Sequence, residues 1–200
     1  MNNEIDKAFE ITKKEKRPAL ISFTVAGDNT SKKSFEILKS ISNTVDIAEW
    51  GIAFNCPGAD GPEIQNSSYR AIKNGITLDS TFSLIKKYKK LKNSKPLILM
   101  GYYQLIYNYG EKKFIKKCKN VGVAGLIVVD LPWPDNKSFA KLCKKNSICF
   151  VQLIAPTTTK KRMKLIVKDS HDLIYQVSNV NITGGKLKST TKTILNNYKT

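Results

Sequence analysis

Residues 45–65 read VDIAEWGIAFNCPGADGPEIQ and contain one complete strand, loop and helix start. The run Val45–Trp50 is apolar apart from its two carboxylates, and a loop rich in Gly and Pro follows it. Pro62 then marks a helix start, because proline is favoured in the first turn, where a missing N–H costs nothing. This stretch predicts one βα unit, with Glu49 at the end of its strand and Asp60 in its loop.

The same unit recurs along the chain. Apolar runs start at intervals of roughly 23 to 28 residues, with one gap of about 50 after Val45, as expected for repeated βα units. Most are apolar at consecutive positions, which is typical of parallel strands buried on both faces. The other runs are Ala19–Val25, Pro96–Gly101, Ala124–Asp130, Ile148–Ile154 and Asp172–Val177.

Amphipathic helical patterns lie between the strands. The first follows a predicted cap at Thr30-Ser31, another opens at Thr77 just after the Asn74-Gly75 stop, and the last covers Leu187–Tyr198. No linker or change of composition divides the chain. We therefore expect residues 1–200 to form a single domain.

The order of elements indicates an α/β fold, and two architectures compete. A dinucleotide-binding sheet needs a G-x-G-x-x-G turn after its first strand, and Ala26-Gly27-Asp28-Asn29 does not provide one. A (β/α)8 TIM barrel carries polar residues at several strand ends. Such residues are found at Glu49, Tyr102, Asp130 and Ser178. The barrel is favoured; about six units are present, and units seven and eight of a complete barrel are expected to be missing.

Composition and charge argue against nucleic-acid binding. The chain has 200 residues, a formal net charge of +18 and 34 Lys and Arg residues. Only Arg17, Arg70 and Arg162 are arginines, the residue best suited to bidentate phosphate and guanine contacts. The lysines are scattered in pairs on the polar sides of helical patterns. We therefore expect no nucleic-acid partner.

The apolar runs are short and the N-terminus has no signal-peptide pattern. A membrane-spanning helix needs roughly 18 consecutive apolar residues, and no run approaches that length. The sequence therefore predicts a cytoplasmic protein with no membrane partner.

The cysteines do not form a metal-binding pattern. Cys56, Cys118, Cys143 and Cys149 contain no C-x-x-C pair, and His171 is the one histidine. We expect no metal site and predict reduced cysteines, with Cys118 and Cys143 on apolar helix faces.

Glu49 and Asp60 are the candidate chemical pair. Two carboxylates in unlike environments can hold different pKa values, so that one transfers protons while the other stays ionised. Structural alternatives remain open for both, because a strand-end Glu can be a hydrogen-bond acceptor and an Asp before Gly-Pro can be a turn residue.

The segment from Glu49 to Gln65 has the form E-x-G-x-x-F-x-x-P-x-A-D-G-P-x-I-Q and resembles the tryptophan synthase alpha subunits. The resemblance is colinear from about Arg17 to the chain end. It continues through residues 22–28 (SFTVAGD), 99–103 (LMGYY), 122–132 (GVAGLIVVDLP), 155–158 (APTT) and 182–184 (ITG).

The resemblance implies a TIM-barrel lyase of tryptophan biosynthesis that cleaves indole-3-glycerol phosphate to indole and glyceraldehyde 3-phosphate. It implies no cofactor in this subunit. It also implies a beta subunit that carries pyridoxal phosphate, in an alpha2beta2 heterotetramer.

The resemblance also implies roles for individual residues. Glu49 would be the general acid and base, and Asp60 would hold the indole N–H and stabilise positive charge on the ring. The remaining positions bind substrate: the walls of the indole pocket are Phe23, Tyr102 and Tyr175, the mobile loop carries Thr183, and the phosphate region begins at Gly184.

Departures from the family pattern leave an alternative open. They are Asn55, Cys56 and Gln104 on the side of the partner, and Asn179 and Asn181 before the mobile loop. The glycine-rich phosphate loops that the family has after strands seven and eight are also expected to be missing. The alternative is a non-catalytic truncated homologue that docks on a beta subunit.

Overall fold

The computed structural model describes residues 3–178 as an alternation of parallel strands and helices. The strands are β1 (Ile21–Val25), β2 (Ile47–Gly51), β3 (Leu97–Gly101), β4 (Gly125–Val128), β5 (Cys149–Phe150), β6 (Gln152–Ile154) and β7 (Ile174–Gln176). The helices are α1 (Glu4–Lys14), α2 (Ser31–Ile41), α3 (Pro62–Lys73), α4 (Leu78–Tyr88), α5 (Tyr103–Tyr109), α6 (Glu111–Val121), α7 (Lys137–Lys145) and α8 (Lys160–Asp169).

The strands pair in the order of the sequence, and every pair is parallel. One sheet has the order β1-β2-β3-β4-β5 and the other pairs β6 with β7. A doubly wound sheet would reverse its strand order at a switch point. In a barrel, the strands pair in sequence order without such a reversal. The barrel architecture expected from the sequence is therefore confirmed.

The two sheets are joined through the segment 149–154, which the sequence predicts as one strand. The Val151 N–H donates to the carbonyl of Leu126 on the β4 side, and the Gln152 N–H donates to the carbonyl of Leu173 on the β7 side. The segment therefore changes partner at Val151, and the strand is divided into β5 and β6.

Strand alternation gives the sheet two apolar faces. The outer face, which includes Trp50, Leu99 and Leu126, packs against the helices. The inner face includes Ile47 and Ile98, and buried apolar residues from outside these strands pack against them. Because successive side chains of a strand point to opposite faces, the inner set belongs to the barrel interior.

Helix α1 covers the inner core at the end where the strands begin. Its Ile5 and Ala8 are buried against the inner apolar residues. This helix was not predicted from the sequence, although Asn3 and Asp6 form a capping box at its start. That box was the available signal, because a capping residue followed by an acid three positions later marks a helix start.

The long segment between β2 and β3 contains two helices, and the sequence predicts the start of each. Helix α3 begins at Pro62, as predicted, and is followed by Gly75 with a left-handed φ of 80°. Helix α4 then starts with Thr77 as its cap, also as predicted. The short helix α5 directly after β3 was not predicted.

No helix within residues 3–178 has the length and apolarity needed to cross a membrane. All four cysteines are free, with Cys118, Cys143 and Cys149 buried and Cys56 exposed.

Helix α1 should contribute strongly to stability. We expect Ile5→Ala to lower the free energy of unfolding by about 2–4 kcal/mol, because it leaves a cavity in the inner core. The matched control is Ile11→Ala on the same helix, whose side chain is 55% exposed. Urea unfolding monitored by circular dichroism measures both. Equal, small losses in the two variants would show that α1 does not close the barrel.

Candidate active site

Strand β2 presents Glu49 to the barrel interior. Glu49 pairs in register with Phe23 of β1 and Ile98 of β3, while its neighbours Ala48 and Trp50 are buried in the outer core. The sequence places Glu49 at the strand end; in the structure it is the third residue of the five in β2. The carboxyl group is therefore set on a rigid strand, next to apolar neighbours.

The apolar surroundings change the acidity of Glu49. Burial, together with the smaller effect of the nearby charge of Asp60, raises its pKa from the ordinary 4.5 to about 7. Burial disfavours the charged form of a carboxyl group, and a like charge has the same effect. Glu49 can therefore hold or release a proton near neutral pH.

Asp60 is held in the loop between β2 and α3. Only 4% of the residue is exposed. Its N–H donates to the carbonyl of Pro57 at 3.0 Å, and the Gln65 side chain donates to the carbonyl of Asp60 at 2.8 Å. These bonds fix the backbone of the loop against the first turn of α3.

The side chain of Asp60 is hydrogen-bonded to Tyr102. The Tyr102 hydroxyl donates to Asp60 Oδ2 at 3.0 Å, and it accepts the Ala59 N–H at 3.1 Å. Burial raises the pKa of Asp60, and the bond from Tyr102 lowers it. The Tyr102 ring stacks on Phe54, with centroids 4.8 Å apart.

Two further aromatic residues share this side of the sheet. Phe23 is partly buried, and its ring occupies the space beside Gly51, where a Cβ atom would lie 2.7 Å from the ring. Tyr175 of β7 is 43% exposed. Burial, followed by the charge of Glu49, raises the pKa of Tyr175, so its hydroxyl stays protonated in the neutral range. The structure thus brings five of the seven predicted site residues to one region.

The other predicted site residues, Thr183 and Gly184, lie outside the described residues, as do Asn179 and Asn181. The residues predicted on the partner side, Asn55, Cys56 and Gln104, are all exposed.

Asp130 and Ser178 are the other two polar residues predicted at strand ends, and their surroundings differ from those of Glu49 and Tyr102. Asp130 accepts a hydrogen bond from the N–H of Tyr103 at 2.6 Å, which anchors the start of α5. Ser178 is exposed after β7. Within residues 3–178, no group of three or more His, Cys, Asp or Glu side chains could hold a metal ion.

The arrangement is suited to proton transfer on an aromatic substrate. One carboxyl group has a pKa near 7, a second is buried and receives a hydrogen bond, and aromatic side chains lie beside both. A group that titrates near the working pH can both donate and accept a proton within one reaction.

Comparison with known proteins gives a consistent result. The family model described as "Tryptophan synthase alpha chain" matches residues 9–198. A tryptophan synthase alpha chain of Pelagibacter ubique is 59% identical over 194 residues, which cover 97% of this chain and 73% of the relative.

Solved structures agree with this match. A tryptophan synthase subunit alpha of Legionella pneumophila has a TM-score of 0.84 and 30% identity, covering 88% of this chain and 68% of that one. A tryptophan synthase complex of Pyrococcus furiosus matches with a TM-score of 0.75 and 36% identity, covering 79% and 65%.

The raised pKa of Glu49 should make stability depend on pH. The Glu49 carboxyl ionises near pH 4.5 in the unfolded chain and near pH 7 in the folded chain. The free energy of unfolding therefore falls as the pH rises from 4.5 to 7, and is constant above that range. Glutamine cannot ionise. We therefore expect Glu49→Gln to be more stable than the native chain by about 1–3 kcal/mol above pH 7, and equal to it below pH 4.5.

Thermal unfolding between pH 4 and 8 measures this difference. The matched control is Glu63→Gln, at an exposed position of α3, which should not change the pH dependence. A difference in stability between Glu49→Gln and the native chain that is the same at all pH values would contradict the raised pKa of Glu49.

Proposed function

The chain belongs to the tryptophan synthase alpha chain family, and from this we infer that it cleaves indole-3-glycerol phosphate to indole and glyceraldehyde 3-phosphate. The reaction is a retro-aldol cleavage in tryptophan biosynthesis. The single observation that carries the proposed site is the partly buried Glu49, with its pKa near 7, close to the buried Asp60.

Glu49 is proposed to move both protons of the reaction. A proton is added to the indole ring carbon that bears the glycerol chain, and the adjacent chain hydroxyl loses its proton. The carbon–carbon bond then breaks, its electrons return to the ring, and the hydroxyl carbon becomes the aldehyde. No net proton is gained or lost, so one carboxyl group that titrates near neutral pH is sufficient.

Asp60 is proposed to act electrostatically. Protonation at the ring carbon places positive charge on the ring nitrogen, and an ionised carboxylate beside the indole N–H stabilises that charge. Such stabilisation is strongest where water is excluded. The 4% exposure of Asp60 meets this condition.

Substrate binding is assigned on the same basis. Phe23, Tyr102 and Tyr175 are proposed to contact the indole ring, and their positions around Glu49 and Asp60 support this. Thr183 and Gly184, which lie outside the described residues, are proposed to contact the substrate, with Gly184 at its phosphate group. These last two roles rest on the family resemblance.

The partner of the chain is a tryptophan synthase beta subunit. The Pyrococcus furiosus structures are described as a tryptophan synthase complex and as an a2b2 complex. In this arrangement, pyridoxal phosphate belongs to the beta subunit and the alpha reaction uses no cofactor. The family match supports the lyase, and not the alternative of a non-catalytic docking homologue.

A cytoplasmic location is part of the proposal. Three buried cysteines and one exposed cysteine are all free, which fits a reducing compartment.

Replacing Glu49 tests the proposed acid and base directly. We expect Glu49→Gln in the full chain with its beta subunit to lower kcat for indole formation at least about 100-fold, because glutamine cannot carry the proton. The circular dichroism spectrum should be unchanged. Glu63→Gln again serves as the matched control and should keep full activity. Indole formation by Glu49→Gln at a rate close to that of the control would rule out the role of Glu49.

Gly51 provides a test of the pocket wall. A Cβ atom at this position would lie within 2.8 Å of two atoms of the Phe23 ring. We expect Gly51→Ala to displace that ring and to raise KM about tenfold with a smaller change in kcat, because binding of the indole is weakened. The double variant Gly51→Ala, Phe23→Leu should recover part of the loss. An unchanged KM in Gly51→Ala would place Phe23 outside the pocket.

A further inference from the structure

We propose that Tyr102 is a positioning residue whose hydroxyl fixes the orientation of the Asp60 carboxylate. This goes beyond its proposed place in the wall of the indole pocket, and it rests on the proposed function of Asp60. A contact between the ring and substrate needs only the aromatic face, whereas this role needs the hydroxyl group.

The Tyr102 hydroxyl makes two hydrogen bonds, and their directions are defined. A tyrosine hydroxyl has one proton, and here its oxygen accepts the N–H of Ala59 at 3.1 Å. The proton is then free to point at Asp60 Oδ2, 3.0 Å away. The backbone amide thus orients the hydroxyl, and the hydroxyl orients the carboxylate.

The hydrogen bond from Tyr102 favours the ionised form of Asp60. An ionised carboxylate is only an acceptor, so it matches a hydroxyl that donates. A protonated carboxyl group would accept this bond less well. The buried Asp60 therefore receives from Tyr102 the kind of hydrogen bond that stabilises its negative charge.

Within the described residues, the two oxygens of the Asp60 carboxylate differ in their hydrogen bonds. Among residues 3–178, Tyr102 is the one side chain that donates to the Asp60 carboxylate, and it contacts Oδ2. In the proposed role of Asp60, Oδ1 is the oxygen that accepts the substrate N–H. A carboxylate with one oxygen anchored and the other available presents its charge to the ring in a single orientation.

Tyr102 itself is held rigidly by packing. It directly follows β3, it is 5% exposed, and its ring stacks on Phe54 at an interplanar angle of 27°. The hydroxyl is therefore held by a packed ring, while Asp60 lies on a loop. The rigid element positions the loop residue.

The test uses Tyr102→Phe, Asp60→Asn and the double variant, each in the full chain with its beta subunit. Tyr102→Phe keeps the ring and its stacking on Phe54. We expect it to lower kcat for indole formation about tenfold, since a hydrogen bond to a charged group is lost, while KM changes less than threefold. Tyr103→Phe is the matched control, because that hydroxyl donates to Glu111 away from the site.

The double variant shows whether Tyr102 acts through Asp60. If it does, Asp60→Asn with Tyr102→Phe should be no slower than Asp60→Asn alone, because the group that Tyr102 positions is already changed. Losses that multiply in the double variant, or an unchanged kcat in Tyr102→Phe, would overturn the proposal. Full activity in Asp60→Asn would instead overturn the proposed function of Asp60.

A rescue experiment separates the hydroxyl from the ring. We expect 4-aminophenylalanine at position 102, which keeps a hydrogen-bond donor in the same place, to restore most of the kcat lost in Tyr102→Phe. This variant also covers the case in which Tyr102→Phe folds poorly, because it leaves the buried donor in place. Activity no higher than that of Tyr102→Phe, in a folded protein, would show that the hydrogen bond does not position Asp60.

Discussion

Side chains alternate between the two faces of a barrel strand, and in β2 this alternation places a carboxyl group in the interior. Trp50 and Ala48 are fully buried against the helices, so the residue between them must face inward. The strand cannot turn Glu49 outward without bringing Trp50 into the interior. Packing of the outer face thus holds Glu49 where burial disfavours its charge.

Burial of Glu49 has two consequences: it lowers the stability of the fold, and it gives the carboxyl group its raised pKa. Removing a carboxyl group from water raises its pKa and reduces stability at neutral pH. The inner apolar cluster and α1 offset this cost at the opposite end of the barrel. The result is a proton carrier on a rigid strand, facing the buried and hydrogen-bonded Asp60.

The sequence predicted the strands well because consecutive apolar runs are a strong signal. It did not predict α1, whose charged surface hides the few buried positions, or the change of partner at Val151, where no Gly or Pro marks the bend. Glu49 and Asp60 could be proposed as the candidate pair from one segment of 17 residues. The bond between Tyr102 and Asp60 could not, because it joins residues 42 positions apart and depends on how the ring packs.

The pKa of Glu49 is the quantity on which the account depends most directly. Titration of the full chain labelled with 13C at the glutamate side-chain carboxyl, with Glu49→Gln used to assign the signal, measures it by NMR. The account predicts a midpoint near pH 7, well above the ordinary 4.5. A midpoint between about 4 and 5, in the range of exposed glutamates, would contradict it.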